Sequence, residues 1–188
     1  MSFLDGPRIQ ALIERAEKPP GYVLPPGVSP DVLERARSRE VPLPGAFVEW
    51  LELTNGPLVG PGGFYGLEPE SPTDDLVDVL AMYPHWAERG WVPVTSDGTG
   101  NQYLLMPQDE DGPVGFFEMI RDTHEPEMVV GSNLNTFLIG ILERELGGKW
   151  WPFEAERMLA FDPGLALVDP LLLPWADSRP KAQLPPRR

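Results

Sequence analysis

The sequence contains no cysteine and only two histidines, His85 and His124. The lack of cysteine excludes disulfides and thiolate nucleophiles and favours a reducing compartment, so we expect a cytoplasmic protein. Structural zinc sites draw their ligands mainly from cysteine and histidine, so we expect no metal site and no cofactor. No segment approaches the ~18 consecutive apolar residues of a membrane span. The first residues also lack the basic start and apolar run of a signal peptide.

The sequence motifs of catalysis are missing as well. There is no Gly-x-Ser-x-Gly nucleophile elbow, and residues 60–63 lead into Phe64 rather than into the Lys-Ser/Thr of a phosphate-binding loop. Residues 97–101 begin like a calcium-binding loop, but Gln102 replaces its glycine and Gln108 its glutamate, so we interpret them as a turn. We therefore predict that the protein is not an enzyme, with acid–base chemistry in a cleft as the least favoured alternative.

Positive charge is scarce in the middle of the chain. The formal net charge is −14, and residues 41–146 alone carry eighteen acidic side chains against three basic ones. Residues 1–40 and 147–188 are nearly neutral. Such a field repels nucleic acid and anionic membranes and favours a basic protein partner. A surface that only keeps the protein soluble explains the same charge equally well.

Apolar residues recur at helical spacing in several segments. The clearest helix spans 44–54, where Phe47, Trp50, Leu51 and Thr54 share one face and Pro44 suits the first turn. Further helices are predicted at about 7–18, 30–36, from 73 onward, 134–146 and 153–161. Ser132 is expected to cap the helix at 134–146.

Short apolar segments bounded by turn residues predict strands. They lie at about 64–67, 91–95, 102–106, 114–118 and 127–131. Helices before, within and after this run of strands are typical of an α+β fold. We expect an antiparallel-type sheet of about five to six strands, with helices packed mainly on one face.

Two segments together resemble a known family. Residues 43–56 form a proline-led amphipathic helix that closes on Asn55-Gly56, and residues 91–105 form two strands around Asp-Gly-Thr-Gly-Asn. This pairing resembles the SUKH superfamily, which groups fungal cell-wall-assembly regulators with bacterial immunity proteins. A strand followed by serine and a Phe-containing helix, at 127–138, fits the same pattern. The resemblance covers roughly residues 30–146.

The resemblance implies a SUKH-like core at 41–146. Residues 1–40 are then an N-terminal helical extension packed on the core, and residues 147–188 a C-terminal extension within the same single domain. One of the adjacent rings Trp150 and Trp151 is expected to clamp this extension onto the sheet, with the other partly exposed. The extension ends in a Pro- and Arg-rich tail, whose last eight or so residues we expect to be mobile.

The resemblance also implies a role in binding other proteins. Our first hypothesis is a bacterial immunity-type protein that neutralises a basic toxin by direct binding, as a monomer or homodimer. The alternative is an intracellular regulatory scaffold similar to the fungal regulators. The expected partner-binding residues lie on turns and on one short helix: Asp74, Asp75, Asp78, Asp97, Asn101, Asp109, Glu110 and Asp111. An ordinary solvated acidic surface is the competing interpretation of these residues.

Overall fold

The computed structural model describes residues 2–69, 75–121 and 124–176. These residues form seven helices: α1 (Gly6–Arg15), α2 (Pro30–Ser38), α3 (Gly45–Leu53), α4 (Leu76–Met82), α5 (Pro84–Glu88), α6 (Leu134–Glu145) and α7 (Ala155–Phe161). They also form four strands: β1 (Val92–Ser96), β2 (Gln102–Leu105), β3 (Val114–Phe117) and β4 (Met128–Gly131). Two short 3-10 helices follow α7, at Pro163–Leu167 and Pro170–Leu172. Within the described ranges, no helix has the length and apolar composition needed to cross a bilayer.

The strands form one antiparallel sheet in the order β1-β2-β3-β4. Strands that follow one another in the chain are therefore neighbours in the sheet, joined by hairpin-type connections. The α+β class and the antiparallel sheet are confirmed. The expected number of five to six strands is wrong, because the sheet has four.

The segment at 64–67, predicted to be a strand, makes only isolated pairings. Phe64 pairs with Thr95 of β1, and Gly66 pairs with Asp75 at the start of α4. The backbone of Leu67 is instead satisfied by a side chain, because Asn55 accepts from its N–H and donates to its carbonyl, both at 2.8 Å. The amides of Phe64 and Tyr65 bond to the carbonyls of Pro57 and Val94, so this segment has no continuous ladder with a single strand.

Both faces of the sheet are covered by apolar side chains. All four residues of β2 and of β4 are buried. The ring of Tyr103 lies 5.4 Å from Phe137 of α6, and that of Phe117 lies 6.3 Å from Trp86 of α5. Tyr103 pairs with Phe116 across the sheet, so Tyr103 and Phe117 face opposite ways. Helices α6 and α5 therefore contact opposite faces.

The residues after α6 are packed tightly onto the core. Trp150 and Trp151 are both buried, so the expectation that one ring would be partly exposed is wrong. Trp151 lies directly over Gly140 of α6, where a side chain would come within 2.4 Å of the indole ring. The mobile tail predicted from Lys181 onward lies outside the described residues.

A buried carboxylate fixes the end of α7 to the start of α6. Asp162 is only 1% exposed, and it accepts hydrogen bonds from the Ser132 amide at 2.7 Å, the Ser132 hydroxyl, and the Thr136 hydroxyl at 2.8 Å. Ser132 was predicted to be the N-cap of α6, and this prediction is wrong. That role belongs to Asn133, whose side chain accepts from the Thr136 amide at 2.9 Å.

Candidate interaction surface

The loop between β2 and β3 carries three adjacent acids and lies against the start of α3. The carboxylate of Glu110 accepts a hydrogen bond from the Gly45 amide at 2.6 Å, and its carbonyl accepts from the Ala46 amide at 2.9 Å. The N-cap of α3 is Pro44, which has no side-chain acceptor of its own. Glu110 thus serves as the cap of a helix that lies 65 residues away in the chain.

Asp111 performs a similar task at the start of α6. Its carboxylate accepts from the Leu134 amide at 3.1 Å and from the Gly112 amide at 2.7 Å. Burial raises the pKa of Asp111, while these two hydrogen bonds act in the opposite direction. Asp109 differs from both neighbours, because it is exposed and bonded to none of the residues described. The loop therefore contains two acids that hold helices in place and one that is available.

Residues 97–101 form a closed turn around the carboxylate of Asp97. The carboxylate accepts from the Thr99 amide at 2.8 Å, the Asn101 amide at 3.1 Å and the Asn101 side chain at 2.8 Å. Burial raises the pKa of Asp97, but the hydrogen bonds outweigh it, so the pKa is lowered overall. Asn101 in turn accepts from the Met119 amide at 3.2 Å. Both residues predicted to bind a partner here are occupied in stabilising the turn.

The acids near α4 also divide into two groups. Asp75 is the N-cap, and it accepts from the Val77 amide at 2.8 Å and from the Glu68 amide at 2.9 Å. Asp78 is exposed on the first turn and has no hydrogen bond or ion pair with a described residue. Asp74 lies outside the described residues.

A groove with several carboxylates runs along the exposed side of α3. This acidic groove has a volume of about 780 Å³ and is lined by Ser2, Phe3, Arg37, Leu43, Gly45, Val48, Glu49, Glu52 and Glu110. Glu52 is exposed and makes no hydrogen bond or ion pair with any residue that the structure describes. Asp109 is the exposed neighbour of Glu110 in the chain, but it does not line the groove.

Glu49 is held in place within this groove. Its carboxylate accepts from the Phe3 amide at 2.7 Å, the Leu4 amide at 3.4 Å and the Ser2 hydroxyl. Burial raises the pKa of Glu49, but these hydrogen bonds outweigh it and lower the pKa overall. Glu49 therefore stays ionised while its orientation is fixed.

Sequence analysis missed Glu49 and Glu52 as candidate residues. They lie three residues apart on α3, on the side opposite its buried residues Phe47 and Trp50. Their i, i+3 spacing, on the side of the predicted helix opposite its apolar face, could have identified them from the sequence. Among the described residues, no three or more His, Asp or Glu side chains lie together in a way that could hold a metal ion.

Comparison with known proteins identifies the family. Residues 27–140 match the model of the SMI1 / KNR4 family (SUKH-1). The chain belongs to the SMI1/KNR4 family. It is also 36% identical over 72 residues to KNR4/SMI1 homolog 2 of Debaryomyces hansenii. That alignment covers 36% of this chain and 12% of the relative, so the chain corresponds to a small part of that longer protein. No solved structure matches the chain.

The match also separates the molecule into parts. Helix α3, the turn at 97–101 and the β2–β3 loop all lie within the SMI1/KNR4 match. Helix α1, Trp150, Trp151 and Asp162 lie outside it. Trp151 nevertheless packs on Tyr103 and Phe137 within the match, and Asp162 bonds to Ser132 and Thr136 there.

Proposed function

We propose that this SMI1/KNR4-family chain is a non-enzymatic protein-binding module that captures a basic partner at the acidic groove. The observation that carries the proposal is the coexistence of free and fixed carboxylates there. Glu52 in the groove and Asp109, next to Glu110 in the loop, have no bonding partner among the described residues, while Glu49 and Glu110 are held by backbone amides. A partner's Lys or Arg side chain would meet acids whose orientation is already set, which lowers the ordering cost of binding.

The charge of the chain supports the same proposal. The core region carries a net charge of −15, so its long-range field attracts a basic protein and raises the rate of encounter. Among the described residues that line the acidic groove, Arg37 is the one cationic side chain, and it lies 3.9 Å from Glu34 of the same helix. The groove therefore presents mainly unneutralised negative charge.

We propose further that the partner is a toxin and that the chain is a bacterial immunity-type protein. Toxins that act on nucleic acid are basic because their substrate is a polyanion, so an acidic antagonist can both bind them quickly and block the substrate's path. Binding by direct occlusion needs no catalytic group, and we place it in the cytoplasm, with the chain acting as a monomer or homodimer.

The second candidate is an intracellular regulatory scaffold like the fungal cell-wall-assembly regulators. The observation that favours it is the partial match to a fungal KNR4/SMI1 homologue. A scaffold would use the same acidic groove for several partners rather than for one.

The test is a pull-down of the tagged full chain from its own cells at low salt, with mass spectrometry of the retained proteins. The informative variant is E52K/D109K, which reverses the free acid of the groove and the free acid next to Glu110. The matched control is E14K/E17K, which reverses two exposed acids of the N-terminal segment outside the family match.

One stoichiometric basic protein that is lost with E52K/D109K and kept with E14K/E17K supports the immunity proposal. Several partners lost together favour the scaffold. Retention of the same partner by E52K/D109K at the wild-type level contradicts the acidic groove as the binding surface.

A further inference from the structure

A second groove lies beside the C-terminal end of α6, and its charged lining residues are mainly cations rather than acids. This basic groove has a volume of about 460 Å³ and is lined by Leu12, Arg15, Glu143, Leu146, Gly147, Gly148, Lys149, Trp150 and Arg157. Its three cations come from α1, from the connection after α6, and from α7. Every lining residue lies outside the SMI1/KNR4 match at 27–140, so this groove is built from the parts that flank the family core.

The cations of the basic groove are not neutralised by carboxylates. Arg15 and Lys149 are exposed, and neither has a hydrogen bond or ion pair within the described ranges. Arg157 has its guanidinium 5.2 Å from the centre of the Trp150 ring, which leaves its N–H groups free to bind a carboxylate. Glu143, the acid in the lining, is bound at 2.7 Å to Arg8.

Three cations that have no ion pair with a described carboxylate line this one groove, in a chain with almost twice as many acids as bases. Elsewhere in the described structure, Arg35 pairs with Glu68 at 2.6 Å and Arg121 with Glu118 at 2.9 Å. Cations near a helix C-terminus do complement the helix dipole. That effect accounts for positive charge near α6, but it gives no reason for three elements to contribute cations to one groove.

The backbone of the groove limits what kind of anion it can take. The amides of Gly147 and Gly148 are already bonded to the carbonyls of Arg144 and Glu143, both at 2.9 Å. The groove thus lacks the cradle of free N–H groups that holds a compact phosphate, and it adjoins the negative end of the α6 dipole. Carboxylates spaced along a peptide suit it better, since each can meet one cation.

We propose that the basic groove binds an acidic, partly apolar segment of a partner protein. Carboxylates of the segment pair with Arg15, Lys149 and Arg157, while its apolar side chains contact Leu12 and Leu146. The proposal goes beyond the capture of a basic partner, because it concerns a different surface of the opposite charge. A partner with both basic and acidic surfaces could engage the two grooves together.

The test uses fluorescence anisotropy with a labelled peptide that alternates Glu and Leu, added to the full chain. The informative variant is R15E/K149E, which reverses two cations of the groove that have no contact to lose. The matched control is K18E/R39E, which reverses one Lys and one Arg outside the groove that also lack carboxylate ion pairs. We expect R15E/K149E to weaken peptide binding about tenfold, since two ion pairs become repulsive contacts, and K18E/R39E to leave it nearly unchanged.

Equal weakening by both variants, or no peptide binding by the wild-type chain, overturns the proposal. Displacement of the peptide by millimolar inorganic phosphate also overturns it, in favour of a compact anion. Self-association of the wild-type chain that R15E/K149E abolishes, measured by analytical ultracentrifugation, overturns it in favour of a second copy. None of these results depends on the acidic groove, so the two proposals fail separately.

Discussion

The two ends of α6 carry opposite charges, and they differ in how those charges are used. At the N-terminal end, Asp111 and Asp162 accept hydrogen bonds from Leu134, Ser132 and Thr136. At the C-terminal end, Arg15 and Lys149 form no hydrogen bond or ion pair with the residues described. The sign of each of these two sets matches the helix dipole, whereas Glu143 and Glu145 in the last turn of α6 oppose it. The difference teaches that charges bonded to backbone or buried hydroxyls hold this fold together, while unbonded charges are available to partners.

The largest effect on stability is expected from D162A, which removes one of the bonded acids at the start of α6. The substitution leaves the Ser132 amide and two hydroxyls without their buried acceptor, so we expect the free energy of unfolding to fall by about 3 kcal/mol. Urea denaturation measures this loss. The matched control is D169A, because Asp169 lies in the same extension and accepts only from the exposed Leu171 amide at 2.9 Å. A loss of stability for D162A no larger than that for D169A would show that the bonds of Asp162 to Ser132 and Thr136 do not stabilise the fold.

A smaller change in the free energy of unfolding is expected at Asp111, and this change depends on pH. The pKa of Asp111 is raised, so its contribution is present below about pH 3.9, the usual value for an unfolded Asp, and is lost as pH rises through the folded pKa. The stability of the wild-type chain relative to D111N should therefore decline as pH rises.

Asp97 provides the opposite case. Its pKa is lowered, so its contribution is present above the unfolded value and is lost as pH falls through the folded pKa. The stability of the wild-type chain relative to D97N should therefore decline on acidification. Urea midpoints across an acid-to-neutral series measure both differences, and slopes of the same sign for the two variants would refute this assignment.

The smallest effect on stability is expected from R15E/K149E. Both side chains are exposed and unbonded, so their reversal should cost only their interaction with the helix dipoles, about 1 kcal/mol of the free energy of unfolding or less. The urea midpoint of this variant should lie close to that of the wild-type chain. A large loss would mean that the cations of the basic groove stabilise the fold rather than serving a partner.

The sequence predicts the four strands well, because each is an apolar segment between turn residues. It fails at residues 64–67, where the pattern also fits a strand but Asn55 satisfies the backbone of Leu67. The sequence predicted only that Asn55-Gly56 closes the preceding helix, where Gly56 adopts a left-handed backbone with φ of 65°. The contact of the Asn55 side chain with Leu67 was not predicted. Such side-chain contacts with distant backbone carry no periodicity that sequence analysis can detect.

The roles of the acids in the β2–β3 loop could not be predicted from the sequence either. Asp109, Glu110 and Asp111 are equivalent in a sequence, since all three are acids on one predicted turn. Their roles separate only when the fold brings Gly45 and Leu134 to the loop, from 65 and 23 residues away in the chain. The distinction between bonded and free acids in this loop therefore needed the structure.

The most direct test of the account compares two double reversals at the acidic groove, E52K/D109K and E110K/D111K. Each is measured for its urea midpoint and for retention of the basic partner. E52K/D109K is expected to stay within about 1 kcal/mol of wild-type stability, with any loss due to Lys at the left-handed backbone of residue 109, and to lose the partner. E110K/D111K is expected to lose about 2–4 kcal/mol of stability, because the Gly45, Gly112 and Leu134 amides lose their carboxylate acceptors. Equal destabilisation by the two variants, or full retention of the partner by E52K/D109K, would contradict the account.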